Sequence, residues 1–123
     1  MYADSNDTDK RNATSKNTRN SRNGDIQSIA ADLTKFQVRI LAILAADDRY
    51  GLAVKEELSE YYGEEINHGR LYPNLDDLVG QELVDKSELD KRTNNYAISP
   101  KGKAALEYEM EWLEEQITEG DGE

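Results

Sequence analysis

Apolar residues recur at helical spacing in two successive segments, each bounded by residues that favour helix ends. The first predicted helix begins after Thr34, a common N-cap residue, and ends near Ala46. The second extends from about Leu52 to Tyr62 and ends at Gly63, because glycine readily adopts the left-handed conformation that follows many helices. The wide apolar face of the first helix consists of Phe36, Ile40, Leu41, Ile43 and Leu44.

A third helix is predicted within residues 66–84, because leucines recur on one face of this segment. These leucines, which should pack the helix onto the first two, are Leu71, Leu75 and Leu78. Two starting points are open. If Asn67 is the N-cap, Pro73 lies beyond the first turn and removes one hydrogen bond. If the regular helix begins nearer Arg70, Pro73 lies in the first turn at little cost, and we favour this later start.

The periodicity becomes alternating after the third helix, which predicts a β-hairpin. Its strands are expected at residues 83–89 and 96–98, on either side of a polar turn at 90–95. The turn is rich in Asp, Asn and Thr, and such residues commonly connect strands.

The pair Ser99 and Pro100 predicts the start of a fourth helix, which continues to about Ile117. Three helices, a hairpin and a long final helix describe a winged helix-turn-helix, a mainly α fold with a small β-hairpin. In this architecture the third helix enters the DNA major groove and the hairpin forms the adjacent wing. The expected parts are a flexible, mildly basic polar tail at 1–25, a DNA-binding winged helix-turn-helix at 26–99, and a C-terminal dimerisation helix with an acidic tail at 100–123.

The acidic charge of the chain complicates a DNA-binding interpretation. Fifteen Lys and Arg face 26 Asp and Glu, for a net charge of −11, and this balance opposes attraction to phosphates. The objection weakens in a cytoplasm with molar salt, where the Debye length falls to ~3 Å. Many carboxylates and few lysines are typical of a halophilic surface, and an acidic mesophilic protein is the alternative.

The residue inventory disfavours an enzyme. The chain has no cysteine and one histidine, so it can form neither a disulfide nor a thiolate zinc site. No glycine-rich phosphate loop or nucleophile elbow is present in the sequence, and we expect no cofactor and no metal site. No apolar run approaches the ~18 residues of a membrane span, so we expect a cytoplasmic protein without membrane contact.

The first 24 residues are polar and carry a net charge of +2, from five Lys or Arg and three Asp. Such a segment buries too little apolar surface to offset the entropy of ordering. It is either a solvated leader without a role or an arm that follows a DNA backbone or minor groove.

Two motifs resemble the PadR-like winged-helix transcriptional regulators. They are GRLYPNL at 69–75 and YAISPKG at 96–102, and the similarity extends over about residues 36–106. The resemblance implies a homodimeric DNA-binding repressor or activator whose last helix contributes to the dimer. A narrower likeness to haloarchaeal members of the family implies a role in a stress response. Family wings are often richer in Arg and Gly than this one, which offers Lys91 and Arg92.

Candidate DNA contacts lie at the N-terminal end of the third helix, the part of a recognition helix that reaches base edges. They are Asn67, His68, Gly69, Arg70, Tyr72 and Asn74. Gly69 permits close approach, Arg70 can bridge guanine O6 and N7, and Asn74 can read adenine. Arg70 and Asn74 are alternatively phosphate ligands. The exposed face at helical spacing is expected to contain Asn67, Arg70, Asn74 and Asp77.

Each of these candidates also has a structural interpretation. Arg70 is a DNA contact, a solvated arginine, or the partner of Asp76 or Asp77 in a salt bridge. His68 is either a phosphate or base-edge contact or an ordinary surface residue, and Tyr72 is either a DNA contact or a core residue against the first helix.

Further candidate contacts lie outside the third helix. The wing tip offers Lys91, Arg92, Thr93 and Asn94, which either reach the adjacent backbone or minor groove or are simply solvated. Weaker phosphate candidates are Arg49, Tyr50 and Lys55, near or on the second helix.

The fourth helix indicates a partner. Leu106, Met110, Leu113 and Ile117 recur at coiled-coil spacing, and Tyr108 and Trp112 are expected to widen this stripe. The stripe either meets its counterpart in a second subunit or folds back onto the first helix. A two-fold dimer predicts a pseudopalindromic DNA site with half-sites about one helical turn apart.

Carboxylates near the expected DNA face predict bound cations. They are Glu64, Glu65, Asp76, Asp77, Glu82 and Asp90. We expect K⁺ or Na⁺ between these carboxylates and the phosphates, so that binding tolerates or needs high salt. The competing functions are a winged-helix dimer that binds proteins without DNA, and an effector pocket at the dimer cleft beside Tyr108 and Trp112; the sequence does not identify an effector.

Overall fold

The computed structural model describes residues 22–90 and 93–121. Chain contacts divide it into two compact units, one ending at Asp32 and the other beginning at Leu33. In chain order, the described elements are α1 (Arg22–Asp32), α2 (Lys35–Ala46), β1 (Arg49–Tyr50), α3 (Gly51–Tyr62), α4 (His68–Gly80), β2 (Val84–Asp90), β3 (Thr93–Ile98) and α5 (Pro100–Asp121). The expected class, mainly helical with a small antiparallel sheet and a long C-terminal helix, is confirmed.

Helix α1 was not predicted. It begins at Arg22, inside the segment expected to be a tail, and the remainder of that tail lies outside the described residues. Its sequence offers few apolar side chains, mainly Ile26, Ile29 and Ala30, so no clear periodicity announces a helix.

Helix α2 has the predicted bounds because its N-terminus is held by a capping box. The Gln37 backbone N–H donates to the Thr34 hydroxyl at 3.1 Å, and the Thr34 N–H donates to Gln37 Oε1 at 3.2 Å. The amide of the same Gln37 side chain donates to Asp77 Oδ2 at 2.9 Å. One glutamine therefore fixes the start of α2 and connects it to α4.

Helix α3 ends as predicted at Gly63, which has a φ of 73° and donates its N–H to the Ser59 carbonyl. The Ser59 hydroxyl accepts a hydrogen bond from the Ile66 N–H at 3.0 Å, and Ile66 itself is buried. These hydrogen bonds fix the short connection between α3 and α4.

The favoured late start of α4 is wrong. The helix begins at His68, and the side chain of Asn67 accepts a hydrogen bond from the Arg70 N–H at 2.9 Å. Such a cap stabilises a helix start by about 1 kcal/mol, which explains the earlier boundary. Pro73 consequently lies inside the helix, where it cannot donate to the Gly69 carbonyl.

The end of α4 uses a Schellman arrangement with Glu82 in the left-handed region, at a φ of 66°. The Glu82 N–H donates to the Val79 carbonyl and the Leu83 N–H to the Leu78 carbonyl, both at 2.9 Å. Glu82 therefore lies beyond the helix. The sequence gives only a weak signal for this helix end, because glycine and not glutamate usually occupies the left-handed position after a helix.

The sheet has the strand order β1-β3-β2 and is antiparallel throughout. Strand β3 begins at Thr93, three residues earlier than predicted, so Thr93 and Asn94 lie on a strand and not in a turn. The two-residue strand β1 was missed because two residues carry no periodicity; its Arg49 lies opposite Tyr96. Lys91 and Arg92 lie outside the described residues.

Helix α5 begins at the predicted pair, with Ser99 as its N-cap. The Ser99 hydroxyl accepts from the Gly102 N–H at 3.0 Å and donates to the Glu82 carbonyl at 2.6 Å. The helix continues to Asp121, beyond the expected end at Ile117. None of the helices in the described part of the chain is long and apolar enough to cross a membrane.

Gly102 lies where α5 crosses the α4–β2 connection, and we expect Gly102→Ala to destabilise the fold. An added Cβ would overlap the Leu83 carbonyl oxygen and lie 3.0 Å from Ile98 Cγ1. Overpacking of this kind costs about 1–3 kcal/mol in the free energy of unfolding, measured by denaturant titration. Gly80→Ala is the control, because a Cβ there meets nothing within 4 Å. Equal stability of the two variants would contradict this account of Gly102.

Candidate nucleic-acid interface

The rotation of α4 about its axis is set by a ridge of leucines. Leu71, Leu75 and Leu78 are completely buried. At 100° per residue, the opposite side of the helix presents Gly69, Pro73, Asp76 and Gly80, all of which are exposed. The outermost surface of α4 is therefore narrow, with two glycines and one carboxylate.

The face predicted to be outermost is instead a flank of α4 beside α2. Asn74 is half-buried and its side-chain amide donates to the Arg70 carbonyl at 2.8 Å. Asp77 accepts hydrogen bonds from Gln37 and Gln81, both at 2.9 Å. These two polar side chains and the Asn67 cap already have partners within the chain.

The guanidinium of Arg70 lies over two aromatic rings. Its Cζ is 4.0 Å from the centre of the Phe36 ring and 5.4 Å from that of Tyr62. Among residues 22–90 and 93–121, Arg70 makes no ion pair, so the alternative pairing with Asp76 or Asp77 is not formed. A guanidinium that stacks on a ring through its face keeps its in-plane N–H donors available to other acceptors.

Tyr72 occupies the opposite flank of α4. Its ring is half-buried and stacks on exposed His68, with ring centres 5.5 Å apart. A Cβ on Gly51 would lie 2.5 Å from the Tyr72 hydroxyl oxygen, so the absence of a side chain at the first residue of α3 makes room for this ring.

A cleft of about 490 Å³ lies between the start of α3, helix α4 and strand β3. Its walls bring together predicted site residues from three elements, and the lining side chains are Tyr50, Leu52, Tyr72, Thr93, Asn94 and Tyr96. Tyr96 lies buried at the bottom of the cleft, and this burial raises the pKa of its hydroxyl. Tyr50 lies exposed at the opening of the cleft.

Two of the predicted phosphate ligands are not part of this cleft. Lys55 forms an ion pair with Glu65 at 3.2 Å, and its side chain is 15% exposed. Arg49 lies 3.8 Å from Glu57 and lines a separate cleft of about 330 Å³. Successive strand residues point to opposite faces, which explains why Tyr50 and its neighbour Arg49 are separated.

Sequence reasoning missed a second cation–aromatic group beside Arg70. Arg39 and Lys35 lie 5.0 and 5.8 Å from the centre of the Tyr61 ring. The Arg39 guanidinium beside this ring holds the pKa of the Tyr61 hydroxyl below its usual value. The spacing of Lys35 and Arg39, one turn apart on an otherwise acidic chain, is the signal that would have revealed them.

Comparison with known proteins decides the family. The sequence model for the "Transcriptional regulator PadR-like family" matches residues 40–108, more than half of the chain. The chain belongs to the PadR-like family. It is therefore a DNA-binding transcription regulator and not an enzyme.

Solved structures give the same result for this PadR-like regulator. It is 60% identical to the protein in the complex structure of hsRosR-S4, with a TM-score of 0.73 over 75% of this chain and 80% of that one. It is 61% identical to RosR of H. salinarum in a structure grown from NaBr, with a TM-score of 0.69 over 71% of this chain and 79% of that one. A PadR-like transcription factor from Bacteroides fragilis, 22% identical, shares the fold at a TM-score of 0.61 over 82% and 99%. No curated protein sequence matches the chain significantly.

Helix α5 of the PadR-like regulator leaves most of its predicted partner residues uncovered. Leu106 is buried within this chain, whereas the exposed members of the set are Tyr108, Met110, Trp112, Leu113 and Ile117. At helical spacing, Tyr108 and Trp112 lie on a different side of α5 from Met110, Leu113 and Ile117. The two groups form separate apolar strips and not one wide stripe.

Gly69, a candidate DNA contact on α4, allows an effect on packing to be separated from an effect on DNA binding. A Cβ there would meet only Asn67 Oδ1, at 3.5 Å, so Gly69→Ala should fold as stably as the wild type or gain up to ~1 kcal/mol. On the outermost surface the same methyl group should weaken duplex binding by about tenfold, equivalent to ~1.4 kcal/mol. Fluorescence anisotropy with a DNA duplex measures the loss.

The matched control is Gly80→Ala, at the C-terminal end of the outermost surface of α4. It should keep wild-type affinity, because recognition helices contact bases through their N-terminal residues. If the two variants bind the duplex with equal affinity, Gly69 does not lie in the DNA interface.

Proposed function

We propose that this PadR-like regulator acts as a homodimer that inserts the N-terminal turns of two α4 helices into successive major grooves of double-stranded DNA. The observation that carries the proposal is the rotation of α4, in which buried Leu71 and Leu75 turn Gly69 and Pro73 outward. The side chains that flank this outer surface and would contact DNA are Arg70 on one side and Tyr72 with His68 on the other. Thr93 and Asn94, across the cleft from Tyr72, supply the wing contribution.

The exposed strip Met110, Leu113 and Ile117 supports the dimer. These side chains are 46–65% exposed in the single chain, at the spacing of a helix–helix seam. A monomer would keep this apolar surface in water at a cost of about 25 cal/mol per Å². A two-fold axis along paired α5 helices buries the strip and sets the two α4 helices about 34 Å apart on the DNA.

A charge placed in the strip should dissociate the dimer. We expect Leu113→Glu to shift the protein to monomers in analytical ultracentrifugation, because two carboxylates would be brought together in an apolar seam. Thr118→Glu adds the same charge to an exposed position away from the strip and should leave the dimer intact. A dimeric Leu113→Glu protein would refute this seam.

Salt dependence follows from the position of the carboxylates. Asp76 lies on the outermost surface of α4, and Glu64 is exposed just before the helix. Glu65 and Asp77, by contrast, already bind Lys55 and two glutamines. We propose that K⁺ or Na⁺ bridges Asp76 and Glu64 to phosphate oxygens, in the salt-rich cytoplasm that the net charge of −11 favours.

The test is the affinity for one duplex as KCl is raised, using DNA selected by the wild-type protein from a random-sequence pool in molar KCl. Affinity should stay constant or increase, whereas an ordinary DNA-binding protein loses about 10³–10⁵-fold with increasing salt. Asp76→Asn should bring back part of the ordinary decline, and Glu115→Gln on α5 should not. A steep decline for the wild type would refute the bridging cations, and failure to select any duplex would refute the DNA-binding proposal.

A role in a stress response completes the proposal, as the likeness to haloarchaeal family members implies. The chain contains no cysteine, so an oxidant signal would enter by a route other than thiol chemistry.

A further inference from the structure

Arg70 rests on a platform built by two other helices. Phe36 belongs to the first turn of α2 and Tyr62 is the last residue of α3; their rings are stacked with centres 5.9 Å apart and planes 28° apart. The guanidinium carbon lies 4.0 Å above the first ring and 5.4 Å from the second. The side chain thus contacts both elements that pack beside α4.

Both residues of this platform are anchored by neighbouring contacts. Phe36 is 4% exposed and lies inside the capping box that fixes the start of α2. Tyr62 is held at the end of α3 by the turn at Gly63, whose N–H is bonded to the Ser59 carbonyl. A long arginine side chain normally samples many rotamers, and stacking on a fixed surface selects a few of them.

The stack also preserves the chemistry that DNA recognition needs. Stacking occupies the π face of a guanidinium, whereas its five N–H donors lie in the plane and point outward from the edge. Arg70 remains exposed, and it is the third residue of α4, in the turn that approaches base edges. Two other cations of this region are committed to carboxylates, Lys55 to Glu65 and Arg49 to Glu57.

We propose that Phe36 and Tyr62 are positioning residues for DNA binding: they hold the Arg70 guanidinium flat at the N-terminus of α4 so that its N–H edge meets a DNA acceptor, and they do not contact DNA themselves. The inference rests on the proposed function, since it assigns the residues that prepare one contact of that interface. Because part of the ordering of Arg70 is already present in the free protein, less entropy is lost on binding.

The opposite role for the same stack has different consequences. If the rings stored Arg70 against the protein, removing them would release the side chain and leave DNA affinity equal or higher. If the two rings only supported the fold, replacing one of them would change DNA affinity by the same factor whether or not an arginine is present at position 70.

A double-mutant cycle on duplex affinity separates these roles. The variants are Phe36→Leu, Arg70→Ala and the double substitution, and leucine keeps an apolar side chain in the buried site. We expect Phe36→Leu to weaken binding by about three- to tenfold, the range of a partly exposed cation–π contact. In the Arg70→Ala background, Phe36→Leu should have no further effect. Denaturant titration of each variant confirms that the protein is folded under the binding conditions.

Tyr62 supplies the conservative control. Tyr62→Phe retains the ring and should bind DNA as the wild type does, whereas Tyr62→Leu should weaken binding in the same direction as Phe36→Leu. Arg70→Lys retains the charge but not the planar stack, so it should be insensitive to Phe36→Leu.

Equal losses from Phe36→Leu with and without Arg70, or a gain in affinity, would overturn the positioning role. An Arg70→Ala protein with wild-type affinity would also overturn it, although the selected duplex would still bind and the proposed function would stand. Absence of wild-type binding to any selected duplex would instead reject the proposed function itself.

Discussion

Burial of the leucine ridge on α4 is the constraint on which the rest of the structure depends. Leu71, Leu75 and Leu78 have no exposed surface, and a helix that must bury these three residues has only one orientation about its axis. The hydrogen bond from Gln37 to Asp77 holds the same orientation from the side of α2. This rotation determines the surface that a partner can contact. It is the narrow outer surface at Gly69 and Pro73, with Arg70 and Tyr72 on either side.

The distribution of charge is unusual for a DNA-binding protein. The chain carries a net charge of −11, so long-range attraction to phosphate cannot guide it. In molar salt the Debye length is only ~3 Å, and binding then depends on contacts made at short range. Several cations near α4 lie over aromatic rings: Arg70 lies over Phe36 and Tyr62, and Arg39 and Lys35 lie over Tyr61.

The sequence predicted those parts of the fold that have local causes. Thr34, Gly63 and Ser99 mark helix ends through bonds within a few residues, and the leucine spacing of α4 predicted its buried side. Features with distant causes were missed. The two residues of β1 become a strand only because β3 lies beside them, and β3 itself extends into the segment expected to be a turn.

The candidate site shows the same division. The segment 67–74 was identified from the sequence, but helical spacing alone could not foresee that Asp77 would bond to Gln37 or that Arg70 would stack on Phe36. These contacts join α4 to α2 across more than 30 residues of chain, and no pattern within α4 encodes them. Pro73 misled the boundary because its cost was given more weight than the cap at Asn67, whose side chain accepts a hydrogen bond from the Arg70 N–H.

The most direct test of the central claim is the distance between the two α4 helices of the proposed dimer. The chain has no cysteine, so Gly69→Cys gives one attachment point for a spin label in each subunit, at the N-terminal end of α4, where an added Cβ meets only Asn67 Oδ1 at 3.5 Å. Electron–electron double resonance in molar KCl should give a single distance of about 34 Å, one helical turn of DNA. A distance far from this value, or no dipolar coupling at all, would contradict the account.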